Sequence, residues 1–137
     1  MVKHGSVPDE ELLAAALEAR GRAYAPYSKF QVGAAVLGAS GRVHTGCNVE
    51  CASYPLTCCA ERVAIYNAIS AGETAIVGIA VMTDTDPAAG PCGACRQVIA
   101  EFGPAAFVLI GSTTAPARRT TIAELLPDCF DGAQLRR

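Results

Sequence analysis

No run of about 18 apolar residues occurs in the 137-residue chain, so the sequence predicts no membrane span. The start, Met1-Val2-Lys3-His4-Gly5, lacks the apolar stretch of a signal peptide. The expectation is a cytoplasmic protein with reduced thiols. Charge is scarce: 18% of residues are charged, the formal net charge is −2, and no basic run exceeds Arg118-Arg119 or Arg136-Arg137. Affinity for polynucleotides rests mainly on neutralising phosphates, so a small substrate is favoured over a polynucleotide and no nucleic-acid partner is expected. Solenoid-type repeats and linkers are also lacking. One domain over residues 1–137 is expected, long enough to bury about two thirds of the unfolded chain's surface. A hydrophobic content of 51% suits a compact globule rather than a disordered chain.

What is present is cysteine. Seven of them, an odd number in a reducing compartment, read as metal ligands plus small buried residues rather than as disulfides. Two segments stand out: Thr57-Cys58-Cys59-Ala60-Glu61-Arg62 and Pro91-Cys92-Gly93-Ala94-Cys95-Arg96. Cys59, Cys92 and Cys95 can converge on one zinc ion, whose fourth tetrahedral position is left for water with a pKa lowered to about 7. Glu61, two residues past the first ligand, is then a non-ligand base within reach of that water. A ligand, one residue, Glu and a later Pro-Cys-x-x-Cys form the signature of zinc deaminases.

Periodicity places these residues. Val7-Pro8-Asp9-Glu10-Glu11 opens a helix running to about Gly21, with Leu12, Leu13, Ala16 and Leu17 at helical spacing. Alternation from Phe30 through Val32, Ala34 and Val36 predicts a strand, turned at Ala39-Ser40-Gly41 into a second strand, 42–48. Asn48 and Glu50 lie two apart, on one side of an extended segment, where an amide and a carboxylate could grip vicinal hydroxyls, as on a ribose. The plainer reading is a solvated strand end. Thr57 is the expected N-cap of a helix over 58–71, stopped by Gly72. Residues two apart do not share a helix face, so Cys59 and Glu61 meet one metal only at that helix's N-terminus. A buried strand over 75–82 leads to a second helix, 92–102, with ligands in its first turn and Gly103-Pro104 as its stop. Another buried strand covers 106–110, and Thr121-Ile122-Ala123-Glu124 has the capping-box form of a last short helix. The order α-β-β-α-β-α-β-α predicts an α/β fold, a mixed sheet between helical layers.

A closed structural site of Cys58, Cys59, Cys92 and Cys95 is the main alternative, but adjacent cysteines strain to share one ion, and Glu61 is left without a task. A redox Cys-Gly-Ala-Cys pair leaves the first segment unexplained. Three thiolates on one zinc carry a net −1, so Arg62 and Arg96 are candidate donors to ligand sulfur, with surface arginines as the alternative. Cys47, Cys51, Cys58 and Cys129 read as free thiols.

The chain resembles the small, homotetrameric, zinc-dependent cytidine deaminases. The similarity runs through residues 25–35, Thr45-Gly46-Cys47-Asn48-Val49-Glu50, Cys59-Ala60-Glu61-Arg62, Pro91-Cys92-Gly93-Ala94-Cys95-Arg96-Gln97, and Leu125-Leu126-Pro127 followed by Phe130. It implies a three-layer α/β/α fold and hydrolytic deamination of cytidine and deoxycytidine to uridine and deoxyuridine in pyrimidine salvage. Zn2+ would be held by Cys59, Cys92 and Cys95, and Glu61 would shuttle protons. Asn48 and Glu50 would hold the sugar, Phe30 would lie against the pyrimidine, and Arg62 would offset thiolate charge. Phe130 would reach a neighbouring subunit's site. Cys51 departs from the Asn usual in the family's Asn-Val-Glu-Asn, which puts substrate preference in question. Rival expectations are the same chemistry on a modified cytidine or cytosine antibiotic, polynucleotide editing, and a zinc-stabilised module without catalysis.

Overall fold

The computed structural model describes residues 7–136, and the reading of the first five residues lies outside them. Five strands form one sheet in the order β2-β1-β3-β4-β5. They are β1 (Gly33–Gly38), β2 (Val43–Cys47), β3 (Ile76–Thr83), β4 (Phe107–Ser112) and β5 (Arg118–Thr121). Only β3 and β4 run parallel; the other pairings are antiparallel. The sheet is therefore mixed, as expected.

Strand alternation divides the core in two. Ala34 and Val36 of β1, Ile79 and Val81 of β3, and Val108 and Ile110 of β4 face one side. There they pack with α2 (Ala60–Ser70), α3 (Gly93–Phe102) and the single-turn α4 (Ile122–Leu125). Ala35, Leu37, Ala80, Met82 and Leu109 face the other side, against Leu12 and Ala16 of α1 (Asp9–Arg20). This gives the three-layer α/β/α arrangement. It also buries every residue of β1, which the alternation alone had not distinguished from a strand with one wet face. Gly46 in β2 lets α2 approach closely, because a Cβ there would collide with the backbone of Val63 and Ala64.

Three expectations need correction. Thr57 does not cap α2: its hydroxyl accepts from the Cys51 N–H at 3.2 Å, and Cys59 is the N-cap. Cys58 is not helical. Its N–H and C=O both pair with Val49, at 2.9 and 3.0 Å, in a short antiparallel bridge that holds the chain extended until Cys59. Third, β5 was not foreseen. Its Arg-Arg-Thr-Thr sequence carries no apolar period because it is an edge strand, with two exposed and two half-buried residues.

Candidate active site

The cysteine cluster is built from two helix starts. Cys59 caps α2 and Cys92 caps α3, both in extended backbone conformation, while Cys95 is the third residue of α3. Neither cap uses its side chain to bond its own helix, so both thiols are free to turn toward a shared centre. The three sulfurs all lie within 4.8 Å of one another, Cys59 Sγ and Cys92 Sγ at 4.0 Å. Three thiolates at about 2.3 Å from a tetrahedral ion lie roughly 3.8 Å apart, so this donor set suits zinc with one position left over. Two helix N-termini add positive potential where thiolate charge gathers. Cys58 falls outside the cluster, and burial pushes its thiol up.

Arg62 sits over the cluster. Its Nη2 donates to Cys59 Sγ at 3.4 Å. Its Nε is the one buried side-chain nitrogen or oxygen without a hydrogen-bond partner among the described residues. The Cys59 thiol is pushed down to about 5, first by a hydrogen bond from Cys95 and then by Arg62. Arg96 does not share this task. Its guanidinium donates to the Pro91 and Leu125 carbonyls at 2.8 and 2.9 Å, tying the start of α3 to α4.

Beside the cluster opens a cavity of about 220 Å³. Phe30, Asn48, Glu50, Cys59, Glu61 and Cys92 all line it, so six residues singled out from sequence meet in one space. Glu61, in the first turn of α2, is only 5% exposed. Burial pushes its carboxyl up to about 7, the range in which a group both accepts and releases a proton. Asn48 and Glu50 are likewise buried, at 7% and 4% exposure. Both are used internally: the Asn48 side chain accepts from Val32 N–H at 2.9 Å and donates to the Phe30 carbonyl at 2.7 Å. Glu50 Oε1 accepts from the N–H groups of Tyr27 and Ser28, and Oε2 from the Ser28 hydroxyl. That hydroxyl is the chief reason the Glu50 carboxyl is held below its usual range. Ser28, Tyr54 and Thr57 also line the cavity without having been read as site residues. For Ser28 no local signal exists, since its partner lies 22 residues away. Phe130 is outside the cavity, 55% exposed, with its carbonyl accepting from Gln97 Nε2 at 2.5 Å.

The family description "Cytidine and deoxycytidylate deaminase zinc-binding region" matches residues 6–111. A cytidine deaminase of Halalkalibacterium halodurans is 50% identical over 120 residues, covering 87% of this chain and 91% of the relative. One from Sporosarcina psychrophila is 45% identical over 127 residues, 92% and 93% of the two chains. The crystal structure of cytidine deaminase from Burkholderia pseudomallei superposes with a TM-score of 0.87 at 46% identity, covering 90% of this chain and all of that one.

Proposed function

The chain belongs to the cytidine and deoxycytidylate deaminase family, and from that premise we propose that it hydrolyses the C4–amine bond of cytidine and deoxycytidine, giving uridine or deoxyuridine and ammonia. One observation carries the reading: the buried carboxyl of Glu61 and two members of the three-thiol cluster, Cys59 and Cys92, line the same cavity as Asn48 and Glu50. Among the described residues no Arg or Lys lines that cavity, whereas two carboxyl groups do, so a nucleoside fits its charge better than a 5′-phosphorylated nucleotide.

Cys59, Cys92 and Cys95 would hold the zinc ion, which would supply a Lewis acid for the attacking water. Glu61 takes a proton from that water as its oxygen bonds to C4, and delivers the proton to N3. It then carries the remaining hydroxyl proton to the exocyclic amine, which leaves as ammonia while C4 becomes a carbonyl. Phe30 forms a wall for the pyrimidine. Glu50 has three of its roughly four acceptor positions filled from within, and Asn48 has one N–H to spare. One acceptor and one donor match a single sugar hydroxyl rather than a vicinal pair, which supports acceptance of both ribose and deoxyribose. Arg62 offsets thiolate charge. Cys51 keeps its loop tied through its backbone N–H on Thr57, leaving the sugar residues in place. The proposal extends to a cytoplasmic homotetramer serving pyrimidine salvage, each chain a single catalytic unit with Phe130 at a neighbour's site.

The test is an assay on metal-quantified protein, following cytidine absorbance and ammonia release. About one zinc per chain is expected. Glu61→Gln keeps zinc and fold while losing about 10²–10⁴-fold in rate. Near-normal turnover in that variant would remove Glu61 from its role.

A further inference from the structure

The segment from Tyr27 to Val32 is an irregular strap along one wall of the cavity, and it is held from within by a short chain of hydrogen bonds. Ser28 stands at its centre. Its hydroxyl accepts from the Phe30 N–H at 3.0 Å and donates to Glu50 Oε2, while its own N–H donates to Glu50 Oε1 at 3.1 Å. Between Ser28 and Phe30, Lys29 adopts the left-handed conformation, with φ 63°, which a side-chain-bearing residue adopts at a cost. The turn is therefore imposed by these bonds rather than by the preference of Lys29. Phe30 is gripped at both ends of its peptide, its N–H by Ser28 and its carbonyl by Asn48.

We propose that Ser28 is a positioning residue that turns the last open acceptor site of Glu50 toward the substrate's sugar and sets Phe30 in register with it. This rests on the nucleoside reading above and adds a determinant of sugar selectivity to it. With Oε1 occupied by two backbone N–H groups, only Oε2 retains an acceptor position, and the Ser28 hydroxyl sits on that oxygen. Removing the hydroxyl frees Oε2 to rotate, releases the Phe30 N–H, and leaves the carboxylate one partner short. The proposed effect falls mainly on ligands with a hydroxyl for Glu50 to hold, the released Phe30 costing every ligand no more than a few-fold. A merely structural serine would weaken every ligand alike.

The experiment compares cytidine with 2′,3′-dideoxycytidine, which lacks both ring hydroxyls. Dissociation constants are read by calorimetry in zinc-loaded Glu61→Gln protein, where turnover is suppressed, with Ser28 intact or replaced by Ala or Thr. Ser28→Ala is expected to weaken cytidine about 10- to 100-fold, the size of a lost hydrogen bond to a charged group, and dideoxycytidine by no more than a few-fold. Ser28→Thr, which keeps the hydroxyl, is expected to restore the preference. In the active enzyme the same Ala substitution raises KM for cytidine while kcat stays within a few-fold. Equal weakening of both ligands, a threonine variant as impaired as alanine, or no nucleoside binding at all overturns the proposal. Binding with the expected preference but no ammonia from the Glu61-containing enzyme overturns the proposed reaction alone.

Discussion

At the scale of single residues, Arg62 is proposed to tune how tightly three thiols hold a metal. Three thiolates around one divalent ion leave a surplus negative charge, and Arg62 places a guanidinium Nη2 3.4 Å from Cys59 Sγ, with a second, unpartnered buried nitrogen behind it. Replacing it by Gln removes the charge but keeps a neutral donor on a shorter side chain. Groups that support metal ligands in this way usually account for 10–100-fold in metal affinity or activity. The expected outcome for Arg62→Gln is thus a zinc affinity lower by about that factor, read by competition with a chromogenic chelator. Its pH–rate profile should also move to higher pH, because the water polarised by a more negative centre gives up its proton less readily. An affinity and a profile both matching wild type would leave Arg62 as packing only. Chelation of the unaltered protein is expected to abolish turnover, and added zinc to restore it. Arg96 carries the same charge one residue after a candidate ligand, yet its bonds go to the Pro91 and Leu125 carbonyls. Sequence proximity to a ligand did not separate these two arginines; the direction of the first helical turn did.

At the scale of elements, Glu73 fastens the β1–β2 turn to the loop between α2 and β3. Its buried carboxylate accepts from the Ser40 N–H at 3.1 Å and the Ser40 hydroxyl at 2.5 Å, and His44 Nε2 lies 2.8 Å away. Gly38 makes room, since a Cβ there would strike the carboxyl group. These contacts, Ser40's first and His44's next, hold the Glu73 carboxyl down to about 2 from an ordinary 4.5. A depressed carboxyl adds stability above its unfolded value and loses it as pH falls from about 4.5 toward 2. Glu73→Gln is accordingly expected to cost about 1–3 kcal/mol at pH 7, as for a broken buried hydrogen-bond set, and to flatten the loss of stability below pH 5. Urea denaturation of both proteins at pH 7 and pH 3 measures it; parallel pH dependences would refute it. What could be read from sequence follows the same physics. Apolar period placed the helices and the three inner strands, which depend on residues within a few positions, and thiol spacing marked the two segments that meet in the cysteine cluster. The β5 strand, the Val49–Cys58 bridge and the Glu73 clasp depend on partners far along the chain, and their local sequences are polar or ambiguous. Glu73 in particular reads as an ordinary loop acid until β1 and β2 are folded beneath it.

For the whole molecule, the exposed apolar groups bear on assembly. Tyr24, Tyr27, Tyr54, Leu56 and Phe130 are all more than half exposed in the isolated chain. Two of them, Tyr24 and Tyr27, bracket the start of the strap beside the cavity, and Tyr54 lines the cavity itself. Closure by copies of the same chain would bury these groups and complete the cavity wall, in keeping with the proposed homotetramer. A mass near four times 14.1 kDa is then expected from sedimentation equilibrium. Functional sharing calls for a stricter test than mass, because a tetramer with self-contained sites would sediment identically. If Phe130 serves a neighbour's site, Phe130→Ala lowers activity about tenfold or more, the loss of a buried aromatic contact. Mixing that variant with Glu61→Gln, through unfolding and joint reassembly, should then regain activity. In such mixtures a chain with intact Glu61 but no Phe130 of its own can receive Phe130 from its inactive neighbour, rebuilding complete sites at a frequency set by subunit composition. Activity that only averages the two parent variants at every mixing ratio would mean that each site is complete within one chain, and Phe130 would then be an interface residue without a part in binding the nucleoside.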